Sequence, residues 1–315
     1  MPHSTGVRAA ARAGGYGAVV RARGRLARNP FLIGLAPALV VLGAVTLLPT
    51  LYLVATSLTP LTLTRPETAT DFSQPLANYL ALLADSRFHN SLWVQVKLSV
   101  ATVGLQLVVG LALALVLNIR SPFLEACRTV FLLPMVLPPI VVAIIWKVLF
   151  TPDISPVLAG LRALGVPAPS PITEPSLALW AIVLADVWEW FPFTMLMTLA
   201  ALQMLPEQPL EAARIDGASA WQTFRYIVLP LLRPALLVAG LFRLIDSVKA
   251  FPLIYILTDG GPGTVTEVTN YYAFVQAFNF SYLGFSSAIT VVMVAATFLL
   301  SWWLVRLVGT RVEVE

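Results

Sequence analysis

Charged residues are scarce in this 315-residue chain: Asp, Glu, Lys and Arg make up 11% of it, against about 25% in soluble domains. Apolar residues account for 58%, and the mean hydropathy is +0.83. A soluble domain with this little polar surface would not stay dispersed in water. The composition therefore indicates that the bilayer is the solvent. The net charge of +4 comes from arginines beside apolar segments, which indicates membrane topology signals rather than contacts with nucleic acid.

Residues that support catalysis or bind metals are equally few. A single cysteine, Cys127, excludes an internal disulfide, and the two histidines, His3 and His89, are far apart and near no cysteine cluster. No Ser/His/Asp or Cys/His pattern indicates covalent catalysis. The phosphate-binding pattern G-x-x-x-x-G-K-[ST] is missing, and the glycine-rich segment 260–263 has no lysine. The sequence therefore predicts no catalytic residue, no metal ligand and no nucleotide site on this chain.

Six apolar segments are long enough to cross about 30 Å of hydrocarbon as helices of about 20 residues. Helices are expected because lipid offers no hydrogen-bonding partner to a free backbone N–H or C=O. We therefore predict an all-α, polytopic membrane protein with six transmembrane helices. The predicted spans are residues 31–58, 91–118, 126–150, 177–202, 229–257 and 284–308.

Arginines are distributed unevenly between the two sides of these spans. Thirteen lie in the tails and in the loops after the second and fourth spans, and three lie on the opposite side. Because basic residues are retained in the cytoplasm, we expect both termini and the loop after the fourth span to be cytoplasmic. The thirteen are Arg8, Arg12, Arg21, Arg23, Arg25, Arg28, Arg120, Arg128, Arg214, Arg225, Arg233, Arg306 and Arg311, and the three are Arg65, Arg87 and Arg162.

The chain is expected to form one membrane domain with short tails. Its arginine-rich start is similar to a signal peptide or, less so, an organelle transit peptide, but the apolar stretch to residue 58 favours an uncleaved first span. The expected divisions are a tail at 1–30, a first helix at 31–58, an external loop at 59–90, a five-helix domain at 91–308 with a cytoplasmic loop near 203–228, and a tail at 309–315.

The loop after the fourth span has the signals of a short, capped helix. Pro209 suits the first helical position, where its missing N–H costs nothing, and Glu211 then lies in the first turn, where the helix dipole favours an acid. Ala212 and Ala213 form helices well and are small enough to let another surface approach closely. Gly217 suits the left-handed residue that ends a helix. The pattern favours a docking surface over a solvated connector.

A second helix is expected directly after this turn. Ser219 and Gln222 fit a capping box. Trp221, Phe224 and Val228 follow at i, i+3 and i+7, which gives that helix an apolar face. A proline two residues later is expected to mark the entry into the fifth span.

Together these residues resemble a known family. Glu211-Ala-Ala, Gly217 and Ile227-Val-Leu-Pro230 resemble the EAA loop of permease subunits from bacterial ATP-binding-cassette (ABC) importers. The segments Trp188-Glu-Trp-Phe-Pro-Phe193 and Phe251-Pro-Leu-Ile-Tyr-Ile-Leu-Thr258 resemble the subgroup that carries carbohydrates, which includes the maltose and glycerol-3-phosphate permeases. The joint pattern is much more specific than an isolated Glu-Ala-Ala would be.

The resemblance implies the type I importer permease fold, similar to that of maltose permeases, over the 91–308 domain in a bacterial inner membrane. It implies a second homologous permease subunit, two ATPase subunits that bind ATP and Mg, an extracytoplasmic solute-binding protein and a carbohydrate substrate. This chain would hold no cofactor itself, and the residues do not specify the sugar. One departure is Pro252, where relatives usually carry an aspartate. The residues implied in coupling to the ATPase are Glu211, Ala212, Ala213, Asp216 and Gly217.

Several ionisable residues fall inside the predicted fourth and fifth spans, where they are costly and indicate a function. One hypothesis is a polar cavity on the substrate path, in which Glu189 hydrogen-bonds sugar hydroxyls and neighbouring indoles stack on sugar rings. The residues of this hypothetical path are Trp188, Glu189, Trp190, Arg243, Asp246 and Lys249.

Internal pairing is the alternative. Arg243 and Asp246, at i and i+3, would neutralise each other, while Asp186 and Glu189 would pair with basic residues on neighbouring helices. The same carboxylates leave open another function, an ion-coupled secondary transporter that needs no ATPase. In either case Pro192 is expected to interrupt the fourth span beside Glu189.

Overall fold

The computed structural model describes residues 30–119 and 121–312, with side chains described in 34–119 and 121–306. Within these ranges the secondary structure is helical, apart from one isolated β-bridge between Thr62 and Arg65. The all-α prediction is therefore confirmed. Almost all of the predicted N-terminal tail, with its six arginines, lies outside the described residues, as do Arg120 and the last three residues of the C-terminal tail.

The described residues fall into two compact units, with the boundary between Ala55 and Thr56. The first half of the described chain contains α1 (Pro30–Ser57), α2 (Ala77–Ala84), α3 (Ser86–Leu117), α4 (Pro122–Phe131), α5 (Leu133–Val136), α6 (Pro139–Phe150) and α7 (Pro156–Ala163). The second half contains α8 (Ala178–Gln203), α9 (Glu207–Ile215), α10 (Ala220–Thr223), α11 (Leu229–Ser247), α12 (Pro252–Leu257), α13 (Thr269–Phe274) and α14 (Leu283–Val312). Two π-helical segments, Phe224–Val228 and Val275–Asn279, join α10 to α11 and extend α13.

Five helices in the described ranges are long and apolar enough to cross a membrane, and a bent pair brings the number to six if it forms one span. The bent pair is the predicted third span: Pro122–Val136 and Pro139–Phe150 meet at an angle of 97°. Pro138 and Pro139 explain the bend, because a proline ring collides with the preceding turn and its nitrogen donates no hydrogen bond. The third span, predicted as one helix over 126–150, is therefore bent and begins earlier, at Pro122.

The fifth span also differs from its predicted range of 229–257. It begins earlier, because Ala220–Ser247 runs as one helix through the π-helical segment, in which Leu229 N–H bonds to the Phe224 carbonyl five residues back. This wider turn accommodates Pro230, which donates no hydrogen bond. It ends at Ser247, and a separate helix, α12, starts at Pro252. Pro252, which departs from the family pattern, therefore lies at the first position of a helix, where proline is favourable.

The centre of the second unit is the packing of α3 against α8. Gly110 permits it, because a Cβ at this position would overlap the side chain of Thr194. The hydroxyl of Thr194 donates to the Gln106 carbonyl at 2.6 Å and also lies 2.9 Å from the Phe191 carbonyl. α8 continues through Pro192 without a break, so the predicted interruption is wrong. A membrane helix tolerates an internal proline when neighbouring helices satisfy and support its backbone.

The predicted external loop at 59–90 is more ordered than expected. α3 begins at Ser86 rather than near residue 91, because Asp85 caps it by accepting hydrogen bonds from two backbone N–H groups of its first turn. Asn78 donates to the carbonyls of Ser57 and Thr59 at 2.9 and 2.8 Å. These two bonds hold the part of the loop around Asn78 against the beginning of the loop, at Ser57 and Thr59.

Candidate functional site

The EAA loop, residues 203–228, begins with α9. The helix starts at Glu207 after Pro206, so Pro209 occupies its third position rather than the first. The position is still harmless, since the first four N–H groups of a helix have no partner within it. The first-turn acid is Glu207, and Glu211 lies in the middle of the helix. The predicted place of Glu211 is wrong by two residues, about half a turn, because the helix starts at Glu207 rather than at Pro209.

The turn after α9 is built as predicted. Gly217 has φ +71°, and Ala218 N–H bonds to the Ala213 carbonyl at 2.9 Å, which closes the helix in a Schellman-type turn. The capping box is also present: Ser219 N–H donates to Gln222 Oε1 at 2.7 Å, and Gln222 N–H donates to Ser219 Oγ at 3.3 Å. The loop therefore consists of two helices, Glu207–Ile215 and one that starts at Ala220, joined by a short turn that contains Gly217.

Of the five residues assigned to coupling, four are exposed and Ala213 is buried. Ala213 therefore packs inward, so the small outer surface is limited to Ala212 and Gly217. Large apolar side chains of the loop are also exposed, a feature that marks interaction surfaces. They are Met204 at 84%, Ile215 at 86%, Trp221 at 68% and Tyr226 at 74%. The expected apolar face of the second helix is not buried as a whole. Trp221 is exposed, whereas Val228 packs against a buried cluster.

A network of buried polar groups connects three of the long helices. Arg243 on α11 is 2% exposed and donates from Nε to Gln106 Oε1 on α3 at 2.9 Å. The Gln106 amide then donates to Asp186 Oδ1 on α8 at 2.7 Å. Arg243 Nη2 also lies 3.7 Å from that oxygen of Asp186. A buried charge is costly unless it is paired and hydrogen-bonded, and this network meets both conditions.

Arg243 makes two further contacts. Its Nη1 donates to Asp246 Oδ2 at 2.6 Å, so the predicted i, i+3 pair is present. Its guanidinium carbon lies 4.3 Å from the centre of the Trp190 ring, within the range of a cation–π interaction. The internal-pairing alternative therefore accounts for Arg243, Asp186 and Asp246.

Glu189 does not fit that alternative. It is 1% exposed, and its Oε1 has no hydrogen-bond partner. No salt bridge joins it to a basic residue in the described part of the chain, so the partner that the internal-pairing alternative requires for Glu189 is not found there. Glu189 borders a cavity of about 120 Å³, which we name the Glu189 cavity. Its lining consists of Pro139, Asp186, Glu189, Trp190, Asp246, Lys249, Ala250, Phe251, Pro252 and Leu253.

The structure brings together four residues of the predicted substrate path at this cavity: Glu189, Trp190, Asp246 and Lys249. Arg243 contacts two of them from behind. Trp188 lies elsewhere, with its ring edge-on to Trp146 at 5.9 Å. Positions two apart on a helix point about 200° apart, so the spacing alone indicated that Trp188 and Trp190 could not share one cavity.

Sequence reasoning missed two sets of residues. The first is Gln106, whose uncharged side chain gives no signal of a charged network in the sequence. The other is a clamp at the start of α3, where Arg87 Nε and Nη2 donate to the two carboxylate oxygens of buried Glu267 at 2.7 and 2.8 Å. Beside the clamp, Tyr272 donates to Asp85, and burial together with this bond raises the pKa of the phenol above its usual range. No local signal links positions 180 residues apart.

Among the described residues, no three His, Cys, Asp or Glu side chains are grouped so as to hold a metal ion. The geometry offers instead a capped, exposed loop and a cavity lined in part by charged side chains, joined by the continuous helix Ala220–Ser247.

Solved structures share this fold. The chain matches a chain of a bacterial ABC transporter involved in the import of the acidic polysaccharide alginate, with a TM-score of 0.78 and 18% identity over 92% of this chain and 99% of that one. It also matches a chain of the inward-facing MetNI methionine ABC transporter, with a TM-score of 0.51 and 20% identity over 74% of this chain and 98% of that one. The fold is that of an ABC importer permease.

Sequence comparison agrees with this class. A family model described as the binding-protein-dependent transport system inner membrane component matches residues 106–314, and the chain belongs to this family. The chain is therefore a membrane transport component rather than an enzyme. Membership of this family replaces the alternative of an ion-coupled secondary transporter.

Named relatives cover most of the chain. The trehalose/maltose transport system permease protein MalF of Thermococcus litoralis is 39% identical over 216 residues, 69% of this chain and 73% of the relative. The trehalose transport system permease protein SugA of Mycobacterium tuberculosis is 33% identical over 276 residues, 87% of each chain. The sulfoquinovosyl glycerol transport system permease protein SmoG of Agrobacterium fabrum is 34% identical over 277 residues, 88% of this chain and 89% of the relative.

Proposed function

We propose that this chain forms part of the translocation path of a carbohydrate importer. Its partners would be a second homologous permease subunit, two ATPase subunits that bind ATP and Mg, and an extracytoplasmic solute-binding protein. The carbohydrate assignment is supported by the relatives, whose names refer to trehalose, maltose and sulfoquinovosyl glycerol. A binding protein is supported by the family description and by an alginate transporter of similar fold, solved with an alginate pentasaccharide-bound periplasmic protein.

The size of the Glu189 cavity supports the need for a second permease subunit. Its volume of about 120 Å³ is enough for about four water molecules at about 30 Å³ each. Ligand pockets usually measure about 300–1,000 Å³, so one chain in this conformation does not enclose a sugar. The remaining wall would come from the second subunit and from movement of the helices.

The observation that carries the proposal is the connection from the EAA loop to the Glu189 cavity. The helix that starts beside Gly217 at Ala220 runs unbroken to Ser247 and includes both Arg243 and Asp246. At 1.5 Å per residue, about 35 Å separates Ala220 from Arg243. A displacement of the loop would therefore move these two charges together with the helix, which changes the cavity wall.

The proposal places the EAA loop and both termini in the cytoplasm, as the arginine distribution indicates. There α9 would dock on the ATPase, with Glu211, Ala212, Asp216 and Gly217 on its exposed surface. Closure of the ATPase dimer would then displace α9 and, through Gly217, the helix that reaches the cavity.

Replacement of Gly217 gives a controlled test. Asn tolerates positive φ, and a side chain at position 217 would meet nothing within 4 Å in this chain. Gly217→Asn should therefore keep the fold but obstruct docking, and Glu211→Ala should remove a charge from the same surface. We expect each to lower uptake and substrate-stimulated ATPase activity of the assembled importer by about tenfold, the effect of about 1.4 kcal/mol.

The matched control is Gly165→Asn, since Gly165 has φ +73° and is equally open but lies on the predicted external side. Its uptake should equal that of the wild type. Normal uptake by both Gly217→Asn and Glu211→Ala, at equal amounts of protein in the membrane, would refute the docking role.

A further inference from the structure

Five aromatic rings form a continuous series, which we name the aromatic row: Phe251, Tyr255, Tyr271, Phe274 and Phe278. Four of them lie outside the lining of the Glu189 cavity. Phe251 and Tyr255 stack with ring centres 5.4 Å apart and planes 14° apart. Phe274 stands edge-on to both, at 5.1 and 5.6 Å. Phe278 continues the row at 5.1 Å from Phe274.

The row connects the Glu189 cavity with the surface of this chain. Phe251 is part of the cavity lining. Tyr255 is 47% exposed and Phe278 is 66% exposed. Phe278 lies two residues before Phe280 in the turn that leads into α14, and the Ser281 carbonyl of this turn accepts a bond from Leu63 N–H of the predicted external loop. The row therefore leads from the buried carboxylate towards the predicted external side.

The inner part of the row is held rigidly from behind. Tyr271 is 4% exposed and donates to Asp259 Oδ1 at 2.6 Å. Gly260, with φ +79°, lies so close to the Tyr271 ring that a Cβ would approach it to 2.7 Å. Asn270 donates to the Lys249 carbonyl at 3.3 Å, which ties α13 to the segment after α11. Preorganised groups bind with a lower ordering cost.

We propose that the aromatic row is a second carbohydrate site, on which sugar rings stack in transit between the predicted external side and the Glu189 cavity. This inference rests on the proposed function. The C–H face of a sugar ring packs on an aromatic face, while the ring hydroxyls stay free for polar partners. The row offers such partners, since Tyr255 carries a phenol hydroxyl and the cavity at its inner end contains Glu189 and Lys249. A surface built for lipid tails would need none of them.

The test uses the assembled importer in membrane vesicles, with trehalose and maltose as probes. Tyr255→Leu and Phe278→Leu remove a ring but keep an apolar side chain, so each should raise the KM for uptake by about three- to tenfold, the effect of one aromatic contact. The maximal rate and the basal ATPase activity should not change. Tyr255→Phe keeps the ring and loses only the hydroxyl, so it should raise the KM less than Tyr255→Leu does. The matched control is Phe298→Leu, which removes a ring that is 70% exposed on α14.

Two results would overturn the row as a sugar site. One is a wild-type KM in both leucine variants. The other is loss of the second permease subunit from the purified variants, which would make the row a subunit interface. Failure of the proposed function gives a different result, because the wild-type importer itself would then take up neither trehalose, maltose nor any other carbohydrate.

Discussion

Arg243 donates from Nε to Gln106 Oε1 at 2.9 Å, and this bond joins the fifth-span helix to the second. The same amide donates to Asp186 on the fourth-span helix at 2.7 Å. One uncharged side chain thus holds together two opposite charges on two other helices. Any movement of α11 that widens the Glu189 cavity must carry Gln106 with it or exchange these bonds.

The network predicts that Gln106→Leu destabilises the protein. The change leaves a buried guanidinium N–H and a carboxylate oxygen each without one partner, at a cost of about 1–3 kcal/mol. The midpoint of thermal unfolding in detergent should therefore fall. Gln203→Leu, at an exposed position at the end of α8, is the control and should have little effect. Equal midpoints for the two variants would contradict the structural role of Gln106.

The contact between α3 and α8 predicts opposite effects of one substitution at two glycines. In Gly110→Ala the new Cβ would lie 2.8 Å from Met195 N and would overlap Thr194, so the two helices must separate. We expect a loss of about 1–3 kcal/mol, the usual cost of overpacking. Gly104→Ala is on the same helix with nothing within 4 Å, so it should be neutral or stabilising by up to about 1 kcal/mol. Thermal unfolding checks both, and a tolerated Gly110→Ala would mean that the helices are less closely packed.

Removal of the clamp between Arg87 and Glu267 is expected to destabilise the structure around Glu267. Arg87→Met leaves the carboxylate of Glu267, whose side chain is 2% exposed, buried without its cation. Breaking such a pair costs about 3–5 kcal/mol when both partners are buried, and we expect about 2 kcal/mol because the Arg87 side chain is 39% exposed. Hydrogen exchange in the segment 258–268 should accelerate. Adding Glu267→Leu should restore part of the stability, and Arg162→Met is the exposed control.

The unpartnered oxygen of Glu189 predicts a role in transport rather than in stability. Glu189→Leu removes every polar atom from the side chain, and we expect the KM for uptake to rise by about tenfold, the effect of about 1.4 kcal/mol. Glu189→Gln keeps one acceptor and should have a smaller effect. Glu174→Leu, at an exposed position before α8, should transport normally. Wild-type uptake by the Glu189→Leu variant would mean that the Glu189 cavity is not part of the substrate path.

The sequence by itself determined the features that depend on neighbours within a few residues. The long apolar segments specified a helical membrane protein, since a lipid solvent leaves helices as the means of satisfying the backbone. Gly217 specified the left-handed turn, and Ser219 with Gln222 specified the next helix start. Each of these depends on bonds that close within one or two turns, so the local pattern carries all the information needed.

The tertiary structure alone decided features that depend on distant partners. Pro192 leaves α8 intact while Pro138 and Pro139 accompany a bend of 97°, because the effect of a proline in a membrane helix depends on which neighbours support it. Gln106 became the centre of a charged network through Arg243, 137 residues away. Packing brought these residues together, and no pattern along the chain encodes a contact whose geometry is fixed by the meeting of three separate helices.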